Sequence, residues 1–128
     1  MLKKNRGMTL IEVLVAFIVL SVTMAVIMQI FSGGMRNARL AASYSRAVFL
    51  AESRLAAVGV EQPLAQGEEA GQVGGYLRWS VTITPVDDGV PERQLMPVRL
   101  YQVRARVSWN EDALERQVEL LSLRVGTR

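Results

Sequence analysis

The chain has 128 residues, a formal net charge of +3, and neither cysteine nor histidine. These absences exclude disulfide bridges, thiol nucleophiles, zinc sites built from cysteine or histidine, and histidine-based acid–base catalysis. The length suits one domain plus one additional segment. Lys3, Lys4 and Arg6 precede every acidic residue and account for the whole net charge. We therefore expect no nucleic-acid-binding face.

The most distinctive feature is an apolar segment near the N-terminus. Between Val13 and Met35 the sequence contains no charged residue. As a helix, this segment can cross a hydrocarbon core of roughly 30 Å, and the basic residues before it favour a cytoplasmic N-terminus. A secretory signal peptide has a shorter apolar stretch. A plain membrane anchor gives no reason for the acidic residue Glu12 at the edge of the segment.

A known sequence signal accounts for these features together. The stretch GMTLIEVLVAF, which follows a short basic leader, resembles the cleavage signal of type IV prepilins and type II secretion pseudopilins. The resemblance implies that a prepilin peptidase cuts between Gly7 and Met8 and then methylates the new N-terminus at Met8. Most members of the family have phenylalanine at that position. The resemblance also implies that Glu12 meets the N-terminal amine of a neighbouring subunit during assembly.

Thr9 and Glu12 have a local interpretation as well. The spacing Thr-x-x-Glu matches a capping box, in which the two side chains satisfy free N–H groups at the start of a helix. A carboxylate in the first turn is also stabilised by the positive end of the helix dipole. Capping and pairing between subunits both remain open as roles for Glu12.

A single long helix is predicted from Thr9 to about Val58. The sequence contains no proline from Met1 to Gln62, and Gly59 and Pro63 are expected to end the helix. Its second half is amphipathic, because apolar residues recur every three or four positions, namely Ala41, Tyr44, Val48, Ala51, Leu55 and Val58. The pair Gly33–Gly34 is a candidate hinge, with simple tolerance at the membrane surface as the alternative.

The C-terminal half is predicted to form a small sheet. Apolar residues alternate with polar ones from Leu77 to Thr84, from Tyr101 to Trp109 and from Glu115 to Val125, which indicates three half-buried strands. A turn over residues 110–113 joins the last two strands as a hairpin, and the glycine-rich residues 67–75 are expected to form a loop. The predicted fold is α+β, with the long helix packed on an antiparallel sheet of three or four strands.

The remaining candidate residues favour structure over chemistry. Trp79 and Trp109 are expected in the core, facing the helix. Asp87, Asp88 and Glu92 form the densest group of acids, but their spacing fits no calcium loop and favours a solvated turn. No nucleophile lies beside a base, and no phosphate-binding loop occurs. We expect no metal, no cofactor and no enzymatic activity.

A second resemblance narrows the family. The segment FLAESRLAAVGV is similar to the helix end of the I-type minor pseudopilins of type II secretion, with Ser53 where that family usually has asparagine. The resemblance implies a pilin-like fold with a cleaved leader (1–7), a transmembrane part (8–35) and a periplasmic domain (36–128). That domain would contain the rest of the helix (36–58) and the sheet (75–125).

The same resemblance implies a role and a set of partners. The I-type subunit is a structural part of the tip complex that starts pseudopilus assembly and supports protein export across the outer membrane. Expected partners are the prepilin peptidase, the J-type and K-type minor pseudopilins, the inner membrane and the secreted proteins, with the H-type subunit as a further candidate. An H-type pseudopilin and a minor pilin of a type IV pilus are the alternatives.

Overall fold

The computed structural model describes residues 7–87, 89 and 97–127. One helix, α1 (Leu10–Ala57), is followed by four strands: β1 (Gly67–Val73), β2 (Leu77–Pro85), β3 (Val98–Glu111) and β4 (Leu114–Thr127). The chain divides into two compact units, Met1–Ala41 and Ala42–Arg128, and α1 contributes to both. The predicted α+β class is confirmed.

The described part of the first unit consists of residues 7–9 and the N-terminal portion of α1, most of which is apolar. This portion is long and apolar enough to cross a membrane, and none of its most apolar window is buried. Its hydroxyl groups are satisfied within the helix: Ser21 and Thr23 each donate to a carbonyl four residues earlier, at 2.7 Å, and Ser32 donates to Gln29 at 2.9 Å. Internal hydrogen bonding of this kind is what a lipid environment requires.

The second unit is built on the C-terminal part of α1. Ala47, Ala51 and Val58 are completely buried, and Leu55 packs against the same core. Small alanine side chains allow the helix to lie close to the sheet. The predicted apolar stripe is confirmed for its second half, from Val48 to Val58. Its first members, Ala41 and Tyr44, are exposed, and the buried Ala47 was not predicted.

The sheet is an antiparallel meander in the order β1-β2-β3-β4. β2 and β3 occupy its centre and alternate between buried and exposed side chains. The buried side chains of these strands face the helix and supply most of the core: Leu77, Trp79, Val81, Ile83, Tyr101, Val103, Ala105, Val107 and Trp109. The strands predicted in these two regions are confirmed.

Both tryptophans lie in the core, as predicted. The ring of Tyr44 meets Trp109 edge-on, with the ring centroids 4.9 Å apart. The guanidinium of Arg54 lies 4.0 Å from the centroid of Trp79. Gly71 also lies against Trp79, and a Cβ on Gly71 would come within 2.7 Å of the indole. Glycine at this position therefore permits β1 to approach the ring.

The prediction of a loop over residues 67–75 is wrong. Residues Gly67–Val73 form β1, which pairs with β2 along its whole length, and only Gly74–Gly75 and Tyr76 connect the two strands. β1 is an edge strand whose side chains are nearly all exposed. It therefore lacks the apolar alternation by which half-buried strands are recognised.

The predicted β3–β4 hairpin is confirmed, but its turn is tighter than expected. β3 extends to Glu111 and β4 starts at Leu114, so only Asp112 and Ala113 form the turn. Both have positive φ, 52° and 61°. Two consecutive left-handed residues are typical of the hairpin turn whose twist matches that of the strands.

Ala113→Gly is expected to stabilise the domain by about 1 kcal/mol, because a left-handed conformation costs an ordinary residue roughly 1–2 kcal/mol and glycine almost nothing. Ala70→Gly in β1 is the matched control and should destabilise by about 0.5–1 kcal/mol. Urea unfolding of the chain in detergent, followed by tryptophan fluorescence, measures both changes. A loss of stability in Ala113→Gly would contradict the turn geometry.

The C-terminal end of α1 is held by a residue of β4. Arg124 donates to the carbonyl of Val58 at 2.7 Å and to the carbonyl of Leu55 at 2.8 Å. A positive side chain that bonds the last carbonyls of a helix also complements the negative end of its dipole. Gly59 (φ 83°) then turns the chain away. Arg124 was not singled out by the sequence analysis.

The face of the sheet that points away from the helix carries charge pairs. Arg78 contacts Glu115 at 2.8 Å, and Arg106 contacts Glu119 at 2.8 Å. The Nε of Arg104 lies 3.4 Å from Oε1 of Glu119. The hydrogen bond from Arg106 and the two positive charges hold the pKa of Glu119 below its ordinary value. These pairs are exposed and contribute little to stability.

Candidate processing and assembly site

The start of α1 is capped by Thr9. Its side-chain Oγ1 accepts a hydrogen bond from the backbone N–H of Glu12 at 3.3 Å. Its backbone carbonyl accepts from the N–H groups of Glu12 and Val13 at 3.1 and 3.2 Å. Thr9 therefore occupies the N-cap position, and α1 begins at Leu10.

Glu12 lies in the first turn of α1 and is exposed. Its carboxylate makes no hydrogen bond or ion pair with any residue that the structure describes, so the return bond of a capping box, from Glu12 to the N–H of Thr9, is not made. The local role of the side chain is thus limited to the dipole of the helix.

Gly7 and Met8 precede the cap and lie outside the helix. Met8 is 67% exposed, and no described atom lies within 4 Å of the place a Cβ on Gly7 would take. A peptide bond in an exposed, non-helical segment is accessible to a protease. The structure thus places the predicted cleavage bond one residue before the N-cap, with Glu12 one helical turn beyond it.

The site offers three features that another protein can recognise. Its chemical groups are one accessible peptide bond, one capped helix start and one carboxylate at the edge of an apolar helix. A carboxylate in that position needs a positive partner or water, because burying it alone in hydrocarbon is costly. A new N-terminal amine on a neighbouring chain would be such a partner.

The acid group predicted to form a solvated turn lies mostly outside the described residues. Asp88 and Glu92 are among these undescribed positions. Asp87 accepts a hydrogen bond from the N–H of Gly89 at 3.1 Å, which is a local turn contact. Across residues 7–87, 89 and 97–127, no three acidic side chains are grouped as metal ligands would be.

Comparison with known proteins decides the family. A model of the prokaryotic N-terminal methylation motif matches residues 2–28. The type II secretion system protein I of Xanthomonas campestris pv. campestris is 37% identical over 122 residues, which cover 90% of this chain and 87% of that protein. This chain belongs to the type II secretion system protein I family. No solved structure is significantly similar to it.

Membership of this family makes the chain a minor pseudopilin of type II secretion. The resemblance stated from GMTLIEVLVAF and from the helix end is confirmed. The alternatives, an H-type pseudopilin and a type IV minor pilin, are not favoured by this relationship. The apolar helix and the methylation motif fit a membrane-anchored protein.

Proposed function

We propose that this pseudopilin is cut between Gly7 and Met8, N-methylated on Met8, and then built into the tip complex of the pseudopilus as a structural, non-catalytic subunit. The observation that carries the proposal is the methylation motif over residues 2–28, combined with an accessible bond one residue before the N-cap. In this role the chain helps to start pseudopilus assembly and supports export across the outer membrane.

The proposal assigns each part of the chain a place. Residues 1–7 form the leader, residues 8–35 cross the inner membrane, and residues 36–128 lie in the periplasm. The basic leader supports a cytoplasmic N-terminus, because positive residues stay on the cytoplasmic side. The prepilin peptidase and the J-type, K-type and H-type pseudopilins are the proposed partners, and contact with secreted proteins takes place at the tip.

Glu12 is proposed to pair with the methylated amine of the adjacent subunit. Two opposite charges in a medium of low dielectric attract strongly, and the attraction offsets the cost of removing them from water. Such a pair also fixes the axial offset between neighbouring helices. The exposed carboxylate at the first turn, with no partner among the described residues, supports this assignment.

Intact-mass analysis of the chain, isolated from cells with and without the prepilin peptidase, tests the proposed processing. With the peptidase we expect a chain that starts at Met8 and carries one additional methyl group; without it we expect the full leader. Gly7→Val should block cleavage because it places a branched side chain at the cut bond, whereas Ala16→Val within the helix should not. A mature chain that starts elsewhere would refute the proposal.

A further inference from the structure

The outer face of β4 carries an apolar stripe. Leu121, Leu123 and Val125 expose 59%, 64% and 67% of their surface. The alternation predicted from Glu115 to Val125 puts these three residues on one face of the strand, and they do share one, but it is the face that points away from α1. Single exposed apolar residues are common, whereas three at consecutive outward positions of one strand form a contiguous patch.

β4 is also an unprotected edge. One side of the strand pairs with β3 over all fourteen positions, and its other side pairs with no strand of the described residues. The strand contains no proline and its register shows no bulge. Proteins usually shorten or interrupt such edges, because their unpaired N–H and C=O groups can bind another strand. The opposite edge of the sheet, β1, has only seven residues and two glycines.

A positive group lies at the hairpin end of the same edge. Arg116 is half-buried on the helix side of β4, opposite Trp109 of β3. Its Nε is buried and has no hydrogen-bond partner among the described residues. A buried polar group without a partner is costly. The other arginine on this side of β4, Arg124, is fully engaged with the end of α1.

We propose that the open edge of β4 binds an extended segment of a partner subunit of the secretion apparatus, which adds as a fifth strand. The segment is apolar at the alternate positions that face Leu121, Leu123 and Val125, and it carries a carboxylate that pairs with Arg116. Main-chain hydrogen bonds supply affinity in this mode of binding, and the alternate side chains supply specificity. The spacing from Arg116 to Val125 sets the length of the segment, about 30 Å at roughly 3.3 Å per residue.

The proposal rests on the proposed function, because it assumes that the chain assembles with other subunits. A peptide can nevertheless test binding to the edge of β4 directly, without cleavage of the leader or assembly. The chain has no cysteine, so Leu123→Cys introduces a single thiol on the stripe. The probe is the peptide Val-Ser-Cys-Thr-Val-Thr-Lys-Thr-Thr-Glu, whose cysteine lies opposite position 123 and whose glutamate lies opposite Arg116 in an antiparallel pairing. Directly opposite Cβ atoms are about 5 Å apart, within reach of a disulfide after small adjustments.

The full chain in detergent is equilibrated with this peptide in a glutathione buffer, and the mixed disulfide is quantified. We expect Leu123→Cys to trap the peptide about tenfold more than Ala70→Cys on the outer face of β1, which is the matched control. Arg116→Gln, or a peptide that ends in lysine instead of glutamate, should remove most of this advantage. Equal trapping at the two edges, or no effect of Arg116→Gln, would overturn the proposal.

A second experiment identifies the occupant in cells. A photo-cross-linking amino acid at position 123 is expected to capture another subunit of the secretion apparatus. Capture of an exported protein, capture of a second copy of this chain, or capture of nothing would overturn the proposal. Because correct cleavage at Met8 is read from the mass of the same samples, failure of this contact is distinguishable from failure of the proposed processing.

Discussion

Glu12→Leu is expected to abolish assembly while cleavage and membrane insertion proceed normally. Leucine lengthens the apolar segment and leaves the cap by Thr9 intact, since the bond at the helix start uses the backbone N–H of residue 12. What it removes is the carboxylate. Breaking a buried charge pair by removing one partner costs about 3–5 kcal/mol, which is more than a hundredfold in an association constant.

Two further variants separate pairing between subunits from capping. Glu12→Gln keeps the cap by Thr9, because that bond uses the backbone N–H of residue 12, but it removes the charge. Thr9→Ala removes the side-chain acceptor and keeps the charge, at a cost of about 1 kcal/mol to the helix start. If Glu12 acts by pairing, Glu12→Gln fails in assembly and Thr9→Ala succeeds.

The measurements for this series are the intact mass of the mature chain, its recovery in the membrane fraction, and its co-purification with the J-type and K-type subunits. We expect co-purification with Glu12→Leu and Glu12→Gln to fall by at least about tenfold, and secretion to fail with it. Normal secretion by Glu12→Gln would show that the charge of this residue is not needed, and would refute the pairing role.

Trp109→Ala is expected to have the largest effect on stability, a loss of about 3–5 kcal/mol. Trp109 is 2% exposed, contacts the ring of Tyr44, and donates from Nε1 to Glu111 at 3.0 Å. Truncation removes this apolar contact and leaves a cavity between the helix and β3. A domain with ordinary stability of about 5–15 kcal/mol would lose a large part of it.

Phe49→Ala is the matched control, because Phe49 is an aromatic residue of the same unit that is 74% exposed. Its replacement should change stability by no more than about 0.5 kcal/mol. Trp109→Phe should give an intermediate loss, since it keeps a ring in the core and removes the bond to Glu111. Urea unfolding followed by tryptophan fluorescence measures the stability of all three variants, since Trp79 is present in each. Equal losses in Trp109→Ala and Phe49→Ala would contradict the assigned core.

The strands in which apolar and polar residues alternate could be predicted from the sequence. In β2 and β3, buried residues such as Trp79 and Val103 alternate with polar ones, and that alternation is visible in the sequence. β1 was not predictable in this way, since it is an exposed edge strand. Gly71, which suggested a loop, is required by the approach to Trp79. Whether Gly71 belonged to a loop or to a strand depended on its contact with Trp79, eight residues later in the sequence.

The candidate site could be named from the sequence because its residues lie close together in the chain, and its role stays a prediction. Gly7, Met8, Thr9 and Glu12 lie within six consecutive positions, so their spacing does not depend on how the rest of the chain folds. The open edge of β4 is the opposite case. Alternation revealed that Leu121 and Leu123 share a face, but only the pairing of the strands shows that this face is exposed and that the edge beside it is open. Sheet order is a property of the whole domain.

The contact of Arg124 with the end of α1 has a consequence for the order in which the domain forms. Its two hydrogen bonds span 66 and 69 residues of sequence, whereas each pair of adjacent strands is joined by a direct connection along the meander. During synthesis the helix emerges first, and the side chain that caps it emerges almost last. Contacts of long sequence separation form slowly, because a large loop must close before they are made. We therefore expect the contact between Arg124 and the end of α1 to form late in folding, after β4 has been synthesised.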